Sequence, residues 1–149
     1  MSRQIKFRAW DGKRMIYQDR ENFSIRLRAV KAGNEVYIER SNFIDNFFTP
    51  EMGQLMQWIG LKDKSGVDVF EGDILESPND PAEPIHHVVE WSVKYSGWFA
   101  WNVTDTNRNS GNGSLQLWQY VRSVQYGEFS VIGNIHEHPE LLQAGRGSE

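Results

Sequence analysis

Residues 55–75, LMQWIGLKDKSGVDVFEGDIL, decide the fold because they alternate short apolar runs with tight turns. The run LMQWIGLKD predicts a strand, Lys64-Ser65-Gly66 a turn, and VDVF the returning strand. Glu71-Gly72 predicts a second turn, and DILE a third strand. Neighbouring strands joined by turns this short pair antiparallel, since a parallel pair needs a long crossover. The stretch therefore predicts a meander of short antiparallel strands.

Hairpin patterns occur on both sides of this meander. Residues 4–10 alternate apolar with polar side chains, Asp11-Gly12 is a strong hairpin turn, and the run MIY at 15–17 supplies a returning strand. Two further hairpins are predicted, one from FSIRLRA to EVYIER around KAGN, and one from IHHVVEWSVKY to WFAWNVT around Ser96-Gly97.

Helical signals are few. Thr49-Pro50-Glu51 predicts at most one helical turn because Gly53 follows, and His138-Pro139 predicts the start of a short closing helix. Residues 115–124 fit a strand and a helix equally well, and periodicity does not decide between them. The sequence therefore predicts a mostly β protein, with a small antiparallel barrel-like or strongly bent sheet and one or two short helices.

Composition excludes several classes of protein. The chain of 149 residues has the length of one domain, and it contains no cysteine. A disulfide framework, a thiolate metal site and a cysteine nucleophile are therefore excluded. No apolar run has the length of a signal peptide or a membrane span, so we expect a cytoplasmic location and no membrane partner.

Charge is unevenly distributed along the chain. Residues 1–40 hold ten Lys/Arg against five Asp/Glu, a net charge of +5, whereas residues 41–149 hold six against fifteen, a net charge of −9. This asymmetry has three interpretations: a nucleic-acid face, a basic segment of one subunit that meets the acidic part of another, or two solvated faces of one domain.

Three segments carry a resemblance to a known family: IKFRAWDGKRMIY at 5–17, the meander at 55–75, and VIGNIHEHPELL at 131–142. Together they resemble the YopX-like family of bacteriophage and prophage proteins. The resemblance implies a phage-encoded protein of the bacterial cytoplasm, with a barrel-like core, a tendency to self-associate and an unestablished role. It supplies no catalytic residue.

Domain organisation follows from the same segments. We expect a single YopX-like domain at 1–142, made of a basic β-hairpin head at 1–48 and a barrel-like body at 49–142, with a frayed tail at 143–149. Large apolar residues of the body motifs, Trp58, Ile74 and Ile132, are predicted to share one core.

Candidate chemistry is sparse. His136 and His138 lie two apart, as metal ligands on one strand do, but a third ligand is missing and Pro139 suggests that His138 starts the helix. The acids between 63 and 76 are more simply explained as turn residues, because no nucleophile or phosphate-binding loop accompanies them. We therefore predict a protein that is not an enzyme and holds no cofactor or metal.

A binding surface is predicted from arginine-bearing strands and aromatic residues: Arg8, Arg26, Arg28 and Trp98. Trp98 faces opposite to Phe99 and Trp101, so both faces of one strand are aromatic, and one face requires a cover. We predict a non-enzymatic, self-associating accessory protein that also binds a host or phage protein. The alternative is a nucleic-acid binder that uses the basic strands, which the overall charge of −4 disfavours.

Overall fold

A computed structural model describes residues 4–18, 20, 23–30, 33–40, 54–77, 85–104, 114–116 and 128–143; for 23–30, 33–40, 54 and 114–116 it describes the backbone alone. The chain divides into two compact units, Met1–Trp58 and Ile59–Glu149. The predicted single domain at 1–142 stays a prediction.

The first unit is built from hairpins. β1 (Phe7–Trp10) pairs antiparallel with β2 (Met15–Tyr17) and with residues 54–57 of β5 (Gln54–Lys62). The β1–β2 turn is held by Asp11, whose Oδ1 accepts the backbone N–H groups of Lys13 and Arg14, each at 2.8 Å. A second hairpin joins β3 (Phe23–Val30) to β4 (Gly33–Arg40) over eight register positions.

The second unit contains the other end of β5 and the meander that the sequence predicts. The end of β5 is followed by β6 to β11 and a 3₁₀ helix: β6 (Asp68–Phe70), β7 (Asp73–Ser77), β8 (Ile85–Ser92), β9 (Gly97–Asn102), β10 (Ser114–Gln116), β11 (Ser130–Asn134) and the helix Pro139–Leu142. Five of these strands form one antiparallel sheet in the order β10-β9-β8-β7-β11. A bulge between Val131 and Gly133 shifts the register of β11 against β7.

The predicted turns are confirmed. Asp11-Gly12, Lys64-Ser65-Gly66 and Ser96-Gly97 each lie at a junction between paired or successive strands. Gly66 has φ +83, in the left-handed region that a side chain disfavours. The turn signals therefore located three hairpin ends correctly.

The core of the second unit lies on one face of the five-stranded sheet. Val69, Leu75, Val89, Ala100 and Phe129 are buried there, and partly buried side chains pack around them: Ile59, Leu61, Trp98 and Val131. Of the three predicted core residues, Ile74 is fully buried, whereas Trp58 and Ile132 are partly exposed. The immediate neighbour of each contacts the core instead: Leu75 belongs to the buried cluster, and Ile59 and Val131 pack against it.

The predicted fold class is confirmed: the protein is mostly β and antiparallel, and one sheet curls strongly. The predicted closing helix is present as the 3₁₀ helix, with Pro139 at its start. Residues 115 and 116 are strand, while the rest of the ambiguous segment and the predicted turn at 49–53 lie outside the described residues. No helix in the described ranges is long and apolar enough to cross a membrane.

Candidate binding surface

The structure places Arg8, one of the four predicted binding residues, in the interior. Its side chain is only 3% exposed, and its guanidinium carbon lies 6.0 Å from the centre of the Tyr17 ring. In β1, Arg8 pairs with Tyr17 on one side and with Met56 on the other. Arg8 therefore does not offer an exposed cation to a partner.

Arg26 and Arg28 lie in the β3–β4 hairpin, where only the backbone is described. Arg26 is paired in register with Tyr37, and Arg28 with Glu35. The two strands together hold three Arg against two Glu, so the hairpin strands carry a small positive charge. That these arginines face outward stays a prediction.

Trp98 lies beside the most exposed apolar residues of the described chain. In the described part of the chain, five large apolar side chains are exposed. Three of them lie between residues 91 and 95: Trp91 at 47%, Val93 at 84% and Tyr95 at 45%. We call Trp91, Val93, Lys94, Tyr95 and Trp98 the hairpin surface. Single exposed apolar residues are normal in proteins, whereas large contiguous apolar patches are characteristic of interaction surfaces.

One half of the hairpin surface is anchored by Trp98. Trp98 and Trp91 are register partners across β8 and β9, with ring centres 5.1 Å apart and ring planes at 77°, an edge-to-face arrangement. Trp98 packs partly against the core, so the ring of Trp91 rests on a fixed support. The exposed indole is therefore preorganised for contact.

Tyr95 anchors the other half through rings on the opposite face of the sheet. The Tyr95 and Phe99 ring centres lie 5.2 Å apart, and those of Phe99 and Trp101 lie 5.4 Å apart with planes at 24°. Phe99 and Trp101 are buried, whereas Tyr95 is not. This row of rings thus runs from the interior to the surface, and both faces of β9 are aromatic, as the sequence predicted.

The turn that presents Val93 and Lys94 is defined by serines. The Ser92 hydroxyl oxygen accepts the Tyr95 N–H at 3.4 Å, and the Ser96 N–H donates to the Val93 carbonyl at 3.4 Å. Ser96 has φ +48, a left-handed conformation that closes the turn. The sequence analysis treated Val93 and Lys94 as strand residues, although the two flanking serines were a signal for a turn.

His87 is a buried titratable group in the five-stranded sheet. Burial in β8 lowers the pKa of His87 to about 4, and the backbone hydrogen bond with Ile85 opposes that effect only in part. The imidazole is therefore neutral at physiological pH. Its neighbour His86 lies on the other face, with Nε2 3.3 Å from Glu76 Oε2.

His138 has a structural role. Its Nδ1 accepts the Asn134 N–H at 3.4 Å, and its ring lies so close to Gly133 that a Cβ there would be 2.7 Å from it. In the described part of the chain, no three His, Asp or Glu side chains come together in a group that could hold a metal ion.

The carboxylates of the meander also bind the backbone. Asp63 Oδ1 accepts the N–H groups of Ser65 and Val67 at 2.8 and 2.9 Å, and Asp63 Oδ2 accepts the Val131 N–H at 3.1 Å. Asp73 Oδ2 accepts the Phe70 N–H at 2.8 Å. Burial tends to raise the pKa of Asp63, but the three N–H donors outweigh it and the pKa is lowered. These contacts give Asp63 and Asp73 a structural role, because each carboxylate holds backbone N–H groups of the meander or of β11 in place.

Comparison with known proteins identifies the family. The sequence pattern of the YopX protein family matches residues 6–143, so the chain belongs to the YopX family. No curated protein matches the chain. Similar solved structures include YopX from Bacillus subtilis, 22% identical, covering 97% of this chain and 98% of that one with a TM-score of 0.60. Another is protein EF1440 from Enterococcus faecalis, 25% identical, covering 95% of this chain and 99% of that one with a TM-score of 0.48.

Proposed function

We propose that this YopX-family protein is a non-enzymatic binding protein that self-associates through the hairpin surface. The observation that carries the proposal is the group of exposed apolar side chains, Trp91, Val93 and Tyr95, on a support of packed aromatic rings. Rigid aromatic residues lose little conformational entropy on binding, which is why they dominate the centres of protein interfaces. The resemblance to phage proteins further supports an accessory role for a phage or prophage in the bacterial cytoplasm.

Self-association is favoured by the chemistry of the surface. Burying the exposed part of each of these side chains contributes about 1 kcal/mol, which becomes substantial when two copies supply the same group. Lys94 adds a single cation, its Nζ 5.0 Å from the centre of the Tyr95 ring. A mostly apolar surface of this kind is complementary to a copy of itself.

The test is the oligomeric state of surface variants. We expect the wild-type protein to sediment as an oligomer at micromolar concentration, and the double variant Trp91→Thr, Val93→Lys to sediment as a monomer. Val67→Lys is the matched control, because Val67 is also an exposed valine in a turn but lies outside the hairpin surface. A wild-type monomer at low salt would overturn the proposal.

Nucleic acid is the second candidate partner, favoured by cations next to aromatic rings in the first unit. Lys6 Nζ lies 4.7 Å from the centre of the Trp58 ring, and the Arg20 guanidinium carbon lies 4.3 Å from that of Tyr17. Single-strand binders combine cations with stacking aromatics in this way. Binding of a labelled single strand that weakens steeply with salt, and is lost in Trp58→Ala, would support this candidate.

A further inference from the structure

The β3–β4 hairpin differs from the other hairpins of the molecule. Its strands are paired along their whole length, from Phe23 with Arg40 to Val30 with Gly33. Among the described residues, these two strands form a sheet by themselves, whereas the other strands belong to sheets of four and five. The hairpin is therefore a long two-stranded ribbon.

A ribbon of two strands is only marginally stable in water, because one face and both edges lack the partners that a larger sheet provides. Elsewhere the chain protects its edges: at the edge strand β11, the Val131 N–H is bound by the Asp63 carboxylate and the Phe129 carbonyl accepts the Lys64 N–H at 3.2 Å. The ribbon spans eight residues per strand, long enough to serve as an arm.

Charge indicates what the arm binds. Residues 23–40 hold four Lys/Arg against two Glu, a net charge of +2, whereas the unit Ile59–Glu149 holds six Lys/Arg against thirteen Asp/Glu, a net charge of −7. Within that unit, residues 128–143 contain no Lys or Arg, and three of their acids are exposed: Glu128, Glu137 and Glu140. A second copy of the chain thus offers an acidic surface to a basic arm.

We infer that the β3–β4 hairpin is an arm that docks on the acidic unit, residues 59–149, of a second copy. The inference rests on the proposed self-association and adds to it an electrostatic contact separate from the hairpin surface. The basic arm is attracted to the acidic unit of the second copy and repelled by the arm of that copy. This difference fixes the orientation of the contact. Each copy contributes one arm and receives one, so the contact occurs twice in a symmetric dimer.

A charge-swap experiment tests the docking. Arg26→Glu, Arg28→Glu should raise the dissociation constant measured by sedimentation at least about tenfold at low salt, because each of the two arm contacts of the dimer loses two attractions between opposite charges and gains two repulsions. Adding Glu128→Arg, Glu140→Arg to the same chain should restore association. The effect of Arg26→Glu, Arg28→Glu should fade at 1 M salt, where the Debye length is about 3 Å.

Cross-linking gives a second measurement if the charge-reversed double variant does not fold, because it needs only one substitution in the arm. Because the chain has no cysteine, Arg28→Cys and Glu140→Cys each introduce a unique thiol. A short bis-maleimide should join Arg28→Cys chains to Glu140→Cys chains in a mixture, and should not join Arg28→Cys to Lys64→Cys, the matched control in a turn of the same unit.

The outcomes separate the two proposals. A wild-type monomer would overturn self-association itself. A wild-type oligomer that is indifferent to the arm reversal, and that shows no preference for the Glu140→Cys partner, would overturn the arm and leave the hairpin surface as the contact.

Discussion

At the scale of single residues, His87 makes stability depend on pH. Its pKa is lowered from 6.5 to about 4 by burial, so the unfolded chain takes up a proton that the folded protein does not. The neutral imidazole is favoured in the folded state, hence the contribution is fully present above about pH 6.5 and is lost as the pH falls from 6.5 towards 4. The loss amounts to about 3 kcal/mol.

We predict that His87→Gln removes this dependence. The free energy of unfolding of the wild type, measured by urea denaturation, should fall steeply between pH 6.5 and 4, whereas that of His87→Gln should change much less. Val88→Ala is the control, because it removes buried volume from the same strand but keeps the His87 imidazole, and it should leave the slope in place. Equal slopes in wild type and His87→Gln would contradict the prediction.

Asp63 has the opposite dependence. Its pKa is lowered below 3.8 by backbone N–H donors that outweigh burial, so its contribution is present above pH 3.8 and is lost as the pH falls through the lower, folded-state value. Asp63→Asn replaces one acceptor oxygen by a donor, which leaves a backbone N–H without its partner and should cost about 1 to 3 kcal/mol.

The measurement for Asp63 is hydrogen exchange. We expect faster exchange of the Val131 N–H in Asp63→Asn, because that bond holds the edge strand β11 to the turn after β5. Lys64→Ala serves as the control, since it changes the adjacent side chain and leaves the carboxylate. Unchanged protection at Val131 would show that the carboxylate does not secure this edge.

At the scale of elements, Gly133 fixes how the chain turns from β11 into the 3₁₀ helix. A Cβ at Gly133 would lie 2.7 Å from the His138 ring, so Gly133→Ala must displace that ring and should cost about 1 to 3 kcal/mol. Truncating the ring relieves the clash, and His138→Ala should therefore make Gly133→Ala much less costly. A double-mutant cycle by thermal denaturation measures this coupling, and additive effects would contradict it.

The strands and turns also show which features of the fold can be predicted from the sequence. Turn residues such as Asp11-Gly12 and Lys64-Ser65-Gly66 predicted the strand junctions, because they have few alternatives to a turn. The face of each strand was harder to predict: Trp58-Ile59, Ile74-Leu75 and Val131-Ile132 each place two large apolar residues in a row, so a period of two cannot decide which one faces the core. Pairing with neighbouring strands makes that choice.

The residues of the candidate binding surface could be predicted from the sequence only in part. Trp98 was proposed because aromatic residues cluster in its hairpin, and its part in binding stays a prediction. Alternation alone placed Arg8 outward, whereas the structure buries it. A period of two shows which side chains of a strand share a face, but it does not show whether that face is covered. Val93 and Tyr95 were missed as exposed residues because the turn begins earlier than the apolar pattern suggests.

At the scale of the whole molecule, self-association should make thermal stability depend on protein concentration. A partner that binds only the folded chain stabilises it by mass action, so each tenfold rise in concentration adds up to about 1.4 kcal/mol, or up to roughly 3 to 6 °C in Tm for a chain of this length. We expect this rise for the wild type between 1 and 100 µM (roughly the span that brackets a micromolar Kd). The double variant Trp91→Thr, Val93→Lys lacks the exposed apolar group but keeps the arm, so its Tm should rise much less at low salt and should not rise at about 1 M salt, where the charges of the arm are screened. Measurements at high salt distinguish the two proposed contacts. About 1 M salt screens the charges of the arm but leaves apolar burial in place, so part of the concentration dependence of Tm should persist at about 1 M salt. A wild-type Tm that is the same at every concentration and salt would contradict association by either surface.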